Sequence, residues 1–273
     1  MRKNPPAAWR IVGDATAPPV VFLHGFLGDA SDWRDVAGVL SDKFRCICVD
    51  LNGLIANNAR AGDMAGVARD LFKRLEASGV SRAAWVGYSM GGRLALYCAL
   101  EQPDRVSRLV LESASPGLRD AAERSQRREH DAALARRLEE AAAAGQGPGN
   151  AVFRALLEWW YDQPLFASLR GRPELCEEVI FGRLHGKPRV LAAVLRALSV
   201  ADQPDLWPRL TEHRIPTLLI VGDLDRRYRI LAEEMLEACP AFAVKVFDGC
   251  GHNVHLENPG GYTTVVRAFL SAQ

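Results

Sequence analysis

A serine that is to attack a carbon or strip a proton must stand clear of its own backbone, and Gly87-Tyr88-Ser89-Met90-Gly91 is built to do that. This G-x-S-x-G follows the short apolar run 83–86 and opens a helical stretch from Gly92 to Leu100, so a strand turns sharply into a helix. Such an elbow forces its central serine into a strained conformation, and glycines two places before and after it let strand and helix approach closely. Without those flanks the pentapeptide would read as a glycine-rich turn carrying a surface serine. With them, Ser89 is a candidate nucleophile or base at the carboxyl edge of a sheet.

Serine needs a base to take its proton and an acid to orient that base, and after an elbow these follow in the order acid, histidine. The run Thr217 to Val221 reads as a buried parallel strand that delivers Gly222-Asp223-Leu224-Asp225 at its C-terminal end. Asp225 is the candidate acid by the Gly-x-x-Asp count from Gly222, with Asp223 as its competitor. Ala243 to Phe247 reads as the last strand, and the turn-rich loop after it carries His252, the candidate base. His255, three residues on, competes from a segment already leading into a helix. Two backbone N–H groups would complete an oxyanion hole, that of Met90 and that of Phe26 in the loop after Val20 to Leu23. His24 in that loop reads as structural.

The elements that must hold these groups alternate strand and helix along the chain, which predicts a mostly parallel sheet with helices on both faces. Strands are expected at 20–23, 45–49, 83–86, 106–111, 217–221 and 243–247, with room for an edge strand at 9–12. Residues 116–214 show helical patterns and no convincing strand, too long a stretch for a simple crossover. They are read as a helical cap inserted between core segments 1–115 and 215–273, closing over the sheet's carboxyl edge and selecting the substrate.

Composition agrees with one large α/β domain. The chain has 273 residues, 48% of them hydrophobic, and 34 basic against 33 acidic residues for a net charge of +1. Such a balance gives no reason to expect nucleic acid or a membrane surface as partner. Met1 to Pro6 leads into no apolar leader core, and no apolar run approaches the ~20 residues of a membrane span, so a cytoplasmic protein is expected, as a monomer or homo-oligomer. The six cysteines show no C-x-x-C pairing and read as buried free thiols rather than disulfides or a metal site. Cys46 and Cys48 alternate along a strand and so share a face.

The arginines within and near the cap occur in two settings. Arg93 lies one helical turn after Ser89, so its side chain can lean back toward the nucleophile or else pair on the helix surface. Arg127 falls in the dense charge run 119–140, where Asp120/Arg124, Glu123/Arg127 and Arg127/Asp131 stand at i,i+4 spacing. Taken alone, that pattern describes a solvated helix held by ion pairs worth ~0.3 kcal/mol each.

Further runs carry a resemblance. Phe22 to Asp29, Gly87 to Arg93, Pro116-Gly117-Leu118, Trp160 to Leu169, Gln203 to Leu206 and Gly251 to Pro259 together resemble the 2-succinyl-6-hydroxy-2,4-cyclohexadiene-1-carboxylate (SHCHC) synthases of menaquinone biosynthesis, α/β-hydrolase-fold lyases, nearly end to end. The elbow and histidine loop are common to many α/β-hydrolases. The elbow arginine and the Trp-Tyr-x-Gln-Pro-x-Phe-Ala-Ser-Leu run in the cap are much more specific.

The resemblance implies an α/β-hydrolase fold whose triad serves elimination: a proton leaves the cyclohexene ring of 2-succinyl-5-enolpyruvyl-6-hydroxy-3-cyclohexene-1-carboxylate and the enolpyruvyl group departs as pyruvate. Ser89 would be the abstracting base, activated by His252 and oriented through Asp225. Arg93, Arg127 and Arg183 would bind the carboxylates of this small-molecule substrate, since guanidinium stays charged and grips a carboxylate in two places. Tyr88 and Trp160 would wall the pocket, Tyr161 and Phe166 are read as core, and no metal or organic cofactor is implied. The chain departs from the family at 50–58, Asp-Leu-Asn-Gly-Leu-Ile-Ala-Asn-Asn in place of Asp-x-Pro-Gly-His-Gly-x-Ser, in a loop expected to border the active-site mouth. The same triad could instead do covalent work on a small acidic ester, thioester or carbon–carbon substrate. A noncatalytic hydrolase-fold binding protein would usually lack a triad member.

Overall fold

The computed structural model describes residues 9–58 and 62–272; the segment from Met1 to Pro6, read above for a leader, lies outside them. Its sheet has seven strands: β1 (Trp9–Val12), β2 (Pro19–Leu23), β3 (Arg45–Val49), β4 (Ala83–Tyr88), β5 (Val106–Glu112), β6 (Thr217–Gly222) and β7 (Phe242–Phe247). They lie in the order β1-β3-β2-β4-β5-β6-β7, antiparallel only where β1 pairs with β3. The central strands are near-continuous apolar runs because both faces are covered. Alternate residues of one strand feed opposite cores. Val21, Leu23, Ile47 and Trp85 face one way, while Val20, Phe22, Cys46 and Cys48 face the other.

Helices α1 (Arg34–Leu40), α2 (Leu51–Ala56), α3 (Met64–Ala77) and α4 (Met90–Glu101) precede the cap. The cap holds α5 (Ala121–Ala144), α6 (Ala151–Tyr161), α7 (Ala167–Arg170), α8 (Pro173–Arg183) and α9 (Pro188–Ala197), and after it come α10 (Arg226–Ala238), α11 (Val254–Glu257) and α12 (Pro259–Ser271). Apolar stripes of α3, α4 and α10 cover the first face, and those of α1 and α12 the second.

Among the described residues 116–214 are helical or irregular, with no strand. The cap's helices start on local signals: Asp120 accepts from the Glu123 N–H at 2.8 Å, Asn150 from the Phe153 N–H at 2.9 Å, and α8 and α9 each open on proline. Their inner faces bury Leu134, Leu138, Phe153, Leu157 and Leu191 in a core of their own, joined from the sheet side by Leu27. The insertion closes on itself, the Leu206 N–H donating to the Pro116 carbonyl at 2.9 Å. Leu206, Trp207 and Leu210 then join the sheet's core ahead of β6.

The segment 50–58 corrects one expectation. Where a loop at the active-site mouth was expected, 51–56 coil into α2, capped by Asp50, whose side chain accepts from the Asn52 N–H at 3.0 Å. Losing the proline and the second glycine of the family pattern frees the run to be helical, and its Leu51, Leu54 and Ile55 bury in the sheet's core. His24 secures its start: Nδ1–H donates to the Gly25 carbonyl at 2.8 Å, which leaves Nε2 to accept from the Leu51 N–H at 3.0 Å.

Candidate active site

Strand order reverses around β2, with β3 on one side and β4 on the other, and in open α/β sheets ligands settle at the carboxyl ends of strands beside such a reversal. The loops after β2 and β4 bring Phe26 and Ser89 there. Ser89 has φ +49°, a left-handed conformation costing about 1–3 kcal/mol that the surrounding packing must impose. Its glycine neighbours are obligatory. A Cβ on Gly87 would lie 2.6 Å from Gly92 Cα, and one on Gly91 2.3 Å from the Leu23 carbonyl oxygen. Among the described residues, the two other non-glycine residues with positive φ, Leu27 at +65° and Ser113 at +46°, flank the same place. Leu27 follows Phe26, and Ser113 follows Glu112, whose carbonyl accepts the Ser89 N–H at 2.8 Å. Met90 is the first residue of α4, so its N–H has no carbonyl one turn back to bond.

The structure brings Ser89, His252 and Asp225 into one line. His252 Nδ1 lies 2.7 Å from Asp225 Oδ2 and Nε2 lies 3.1 Å from Ser89 Oγ. The carboxylate has no proton to give, so Nδ1 carries the hydrogen and Nε2 is the lone pair facing Ser89. Asp225 is also the N-cap of α10, its Oδ1 accepting from the Tyr228 N–H at 3.3 Å. Asp223 plays no part in this line. His255 is buried on the other side of Tyr88, its Nδ1 2.8 Å from Glu112 Oε1 and its ring stacked on Trp33 at 4.8 Å.

A cavity of about 420 Å³ opens over Ser89, lined from the sheet by Phe26, Tyr88, Met90 and His252 and from the cap by Trp160 and Leu195. None of 50–58 lines it. Tyr88 lies flat against Gly25, where a Cβ would come within 2.5 Å of its ring, and its hydroxyl accepts from Asn253 Nδ2 at 2.7 Å. Burial raises the Tyr88 pKa well above 10, so it is a neutral phenol. Trp160 meets Phe26 edge-on at 5.3 Å. Tyr161 and Phe166 bury in the cap's core and also reach the cavity.

The three expected arginines all line the cavity, each in a different setting. Arg93 is 8% exposed and gives Nη1 to Gln203 Oε1 and Nη2 to the Leu198 carbonyl, both at 2.7 Å. Burial pushes its pKa down to about 10, which leaves it charged at neutral pH. Arg183 holds Asp32 with both Nη atoms and gives Nε to the Tyr161 hydroxyl at 3.3 Å. Burial works against its charge, but Asp32 and Tyr161 outweigh that and raise its pKa well above the ordinary value.

Arg127 pairs with Asp131 through Nε at 2.8 Å and leaves the rest of its fork free. Of the three i,i+4 pairs in that charge run, this is the one that forms. Arg124 instead donates to the Gln203 carbonyl, and Asp131 takes the Ser199 hydroxyl at 2.6 Å. One face of α5 thus clamps segment 199–203, which in turn holds Arg93.

Several lining residues escaped the sequence reading, among them Arg119, Arg227 and Tyr228. Tyr228 sits 4.7 Å from the His252 ring, centroid to centroid. Arg119 lies 3.5 Å above the Trp207 ring and pairs with Glu234 at 3.0 Å. Arg227 is exposed and has no ion-pair partner among the described residues. A signal for it was present: Arg226, Arg227 and Arg229 crowd the first turn of α10, the end of a helix where its dipole disfavours cations.

None of the six thiols lines the cavity. Cys46 and Cys48 are buried, which pushes both up to about 12, and all six are free. Among the described residues no cluster of three or more His, Cys, Asp or Glu is arranged to hold a metal, and no helix is long and apolar enough to cross a membrane.

A family model described as the alpha/beta hydrolase fold matches residues 18–259. The chain is 34% identical over 250 residues to a 2-succinyl-6-hydroxy-2,4-cyclohexadiene-1-carboxylate synthase of Escherichia coli O1:K1 / APEC, covering 91% of this chain and 92% of that protein. It is 32% identical over 279 residues to the putative enzyme of the same name from Bacillus subtilis (strain 168), covering 95% and 93%. Among solved structures it superimposes on MenH from S. aureus with a TM-score of 0.86 at 29% identity, over 97% of this chain and 98% of the other. A malate-bound thermophilic esterase from Thermogutta terrifontis gives 0.74 at 26% identity, over 96% and 92%.

Proposed function

We infer the reaction from membership: the chain belongs to the α/β-hydrolases and, within them, to the SHCHC synthases. It is accordingly a lyase of menaquinone biosynthesis that eliminates pyruvate from 2-succinyl-5-enolpyruvyl-6-hydroxy-3-cyclohexene-1-carboxylate. The observation that carries this reading to particular atoms is the Asp225–His252–Ser89 line beneath a cavity rimmed with arginines.

In that reading His252 Nε2 takes the Ser89 proton as Ser89 Oγ takes the ring proton. Electrons shift onto the dienolate oxygen, and the carbon–oxygen bond to the enolpyruvyl group breaks as the ring becomes a conjugated diene. Enolpyruvate then gains a proton at carbon and leaves as pyruvate. The Phe26 and Met90 N–H groups are suited to the developing oxyanion because the elbow and the Leu27 turn fix them in advance, with no reorganisation at the moment of reaction. Arg93, Arg127 and Arg183 would take the substrate's carboxylates, Tyr88 and Trp160 its apolar body. A free metabolite as substrate, no cofactor and a cytoplasmic location follow from the same reading.

The test is pyruvate release from enzymatically generated substrate, wild type against Ser89→Ala. Rapid release that disappears in the variant is expected. The line that hands a proton from Ser89 to His252 would equally serve acyl transfer, and an esterase shares the fold at 26% identity. Release no faster than in buffer, with turnover of small acidic esters or thioesters instead, would move the protein to that chemistry.

A further inference from the structure

Catalytic histidines on loops need something to hold the loop, and here that something is a buried carboxylate outside the triad. Glu257 ends α11, and its side chain is fully shielded from solvent. Both of its oxygens accept the Gly251 N–H, at 3.2 and 3.1 Å. Oε1 also accepts the Asn253 N–H at 3.4 Å. The peptide N–H groups on either side of His252 are therefore tied to one carboxylate.

The cap fastens that carboxylate in turn. Ser168 of α7 donates its hydroxyl to Glu257 Oε1 at 3.0 Å. Arg172 reaches the Gly249 carbonyl at 2.9 Å and the carbonyl of Glu257 itself, with its Nη2 3.9 Å from Oε2. Gly251 is glycine because Ser168 occupies the place of a side chain: a Cβ there would lie 1.9 Å from Ser168 Oγ. Every neighbour on these oxygens is a donor or a cation, so an acceptor-only group is what the site requires.

We propose that Glu257 is a positioning residue for the reaction, setting the height and tilt of the His252 ring over Ser89, with Ser168 and Arg172 as the cap's grip on it. The inference rests on the reading that His252 serves Ser89. Its reach follows from geometry: the Nε2 to Oγ contact is 3.1 Å, and misplacing reacting groups by about 1 Å costs about 100-fold in rate.

The experiment compares wild type with Glu257→Ala, Glu257→Gln and Ser168→Ala. It follows pyruvate release and, independently of the natural substrate, labelling of Ser89 by a fluorophosphonate, in which the Oγ–P bond forms, fluoride leaves and His252 accepts the serine proton. Glu257→Ala is expected to lower kcat about 100-fold with KM within twofold, and to slow labelling in proportion. Glu257→Gln, which keeps one acceptor oxygen, should restore about a tenth of wild-type activity or more, and Ser168→Ala should fall between Glu257→Gln and wild type.

Labelling and turnover within threefold of wild type in a folded Glu257→Ala would overturn the assignment. So would a loss confined to KM with labelling unchanged. If Glu257→Ala does not fold, wild-type labelling rates in both Glu257→Gln and Ser168→Ala would overturn it. A wild type that labels without releasing pyruvate would remove the lyase reading while the labelling series still decides Glu257. A wild type that does neither would remove both.

Discussion

Replacing Asp225 by asparagine is the most demanding test of the triad, because the structure fixes which way the new amide must turn. The carboxylate is nearly solvent-free, with Oδ2 2.7 Å from His252 Nδ1 and Oδ1 3.3 Å from the Tyr228 N–H. Asparagine has one acceptor for two donors. If its oxygen stays with Tyr228, its NH₂ faces His252 and forces Nδ1 to become the lone pair. The proton then sits on Nε2, where it can no longer receive another from Ser89. If the amide flips to serve His252, its NH₂ meets the Tyr228 N–H, an unmade bond costing about 1–3 kcal/mol, and the charge that steadied the imidazolium is gone as well.

The wrong tautomer in an otherwise intact triad costs about 10,000-fold, or about 5.5 kcal/mol at the transition state. Asparagine caps a helix as well as aspartate does, so the start of α10 and the melting temperature should be nearly unchanged. Initial rates of pyruvate formation at saturating substrate, with thermal unfolding alongside, give both numbers. A folded Asp225→Asn enzyme within tenfold of wild-type kcat would refute the assignment of Asp225 as the orienting acid.

The arginines should separate by what they leave behind. Arg183→Ala strands Asp32 as a buried, unpaired charge, so it should lose about 3–5 kcal/mol of stability in denaturant titrations as well as substrate affinity. Arg227→Ala removes an exposed rim charge with no ion-pair partner among the described residues and should raise KM about tenfold, about 1.4 kcal/mol, without moving the unfolding midpoint. Equal midpoints for Arg183→Ala and Arg227→Ala would contradict the pairing described. Leu54→Ala should cost about 2–5 kcal/mol in the same titration and leave KM within twofold, since α2 faces the core and not the cavity; a selective rise in KM would mean that segment 50–58 reaches the substrate after all.

Much of the fold was legible because buried parallel strands announce themselves. Pro19–Leu23, Arg45–Val49 and Thr217–Gly222 are apolar runs bounded by turn residues, and each strand lies within two residues of where the sequence places it. The segment 50–58 was misread for a physical reason. Its apolar Leu51, Leu54 and Ile55 stand at helical spacing, but turn-forming Asn52, Gly53, Asn57 and Asn58 hide that spacing, and a resemblance supplies a loop where the decisive proline is missing. Local sequence also could not say that Asp50 would cap the run or that His24 would receive its first N–H.

For the site, what sequence spells out is which residues are chemically able, and what it leaves unsaid is who holds them. Ser89, Asp225 and His252 sit at strand ends, so their convergence follows from parallel order alone. Arg93 is different: a charge buried one turn from the elbow is tolerable only because Gln203 and the Leu198 carbonyl, more than a hundred residues away, meet its fork. Those partners are delivered by the segment that Arg124 and Asp131 of α5 clamp. The charge run that reads as a solvated surface ladder is therefore the scaffold behind Arg93 on the cavity wall, and its i,i+4 pattern conceals this because arginine spacing along one helix says nothing about acceptors offered by another. Arg227 inverts the case. It breaks a local rule, a cation at the positive end of a helix, without an ion-pair partner to offset the cost among the described residues, and only the fold shows that this cation stands on the rim of the cavity, where an incoming carboxylate would offset it.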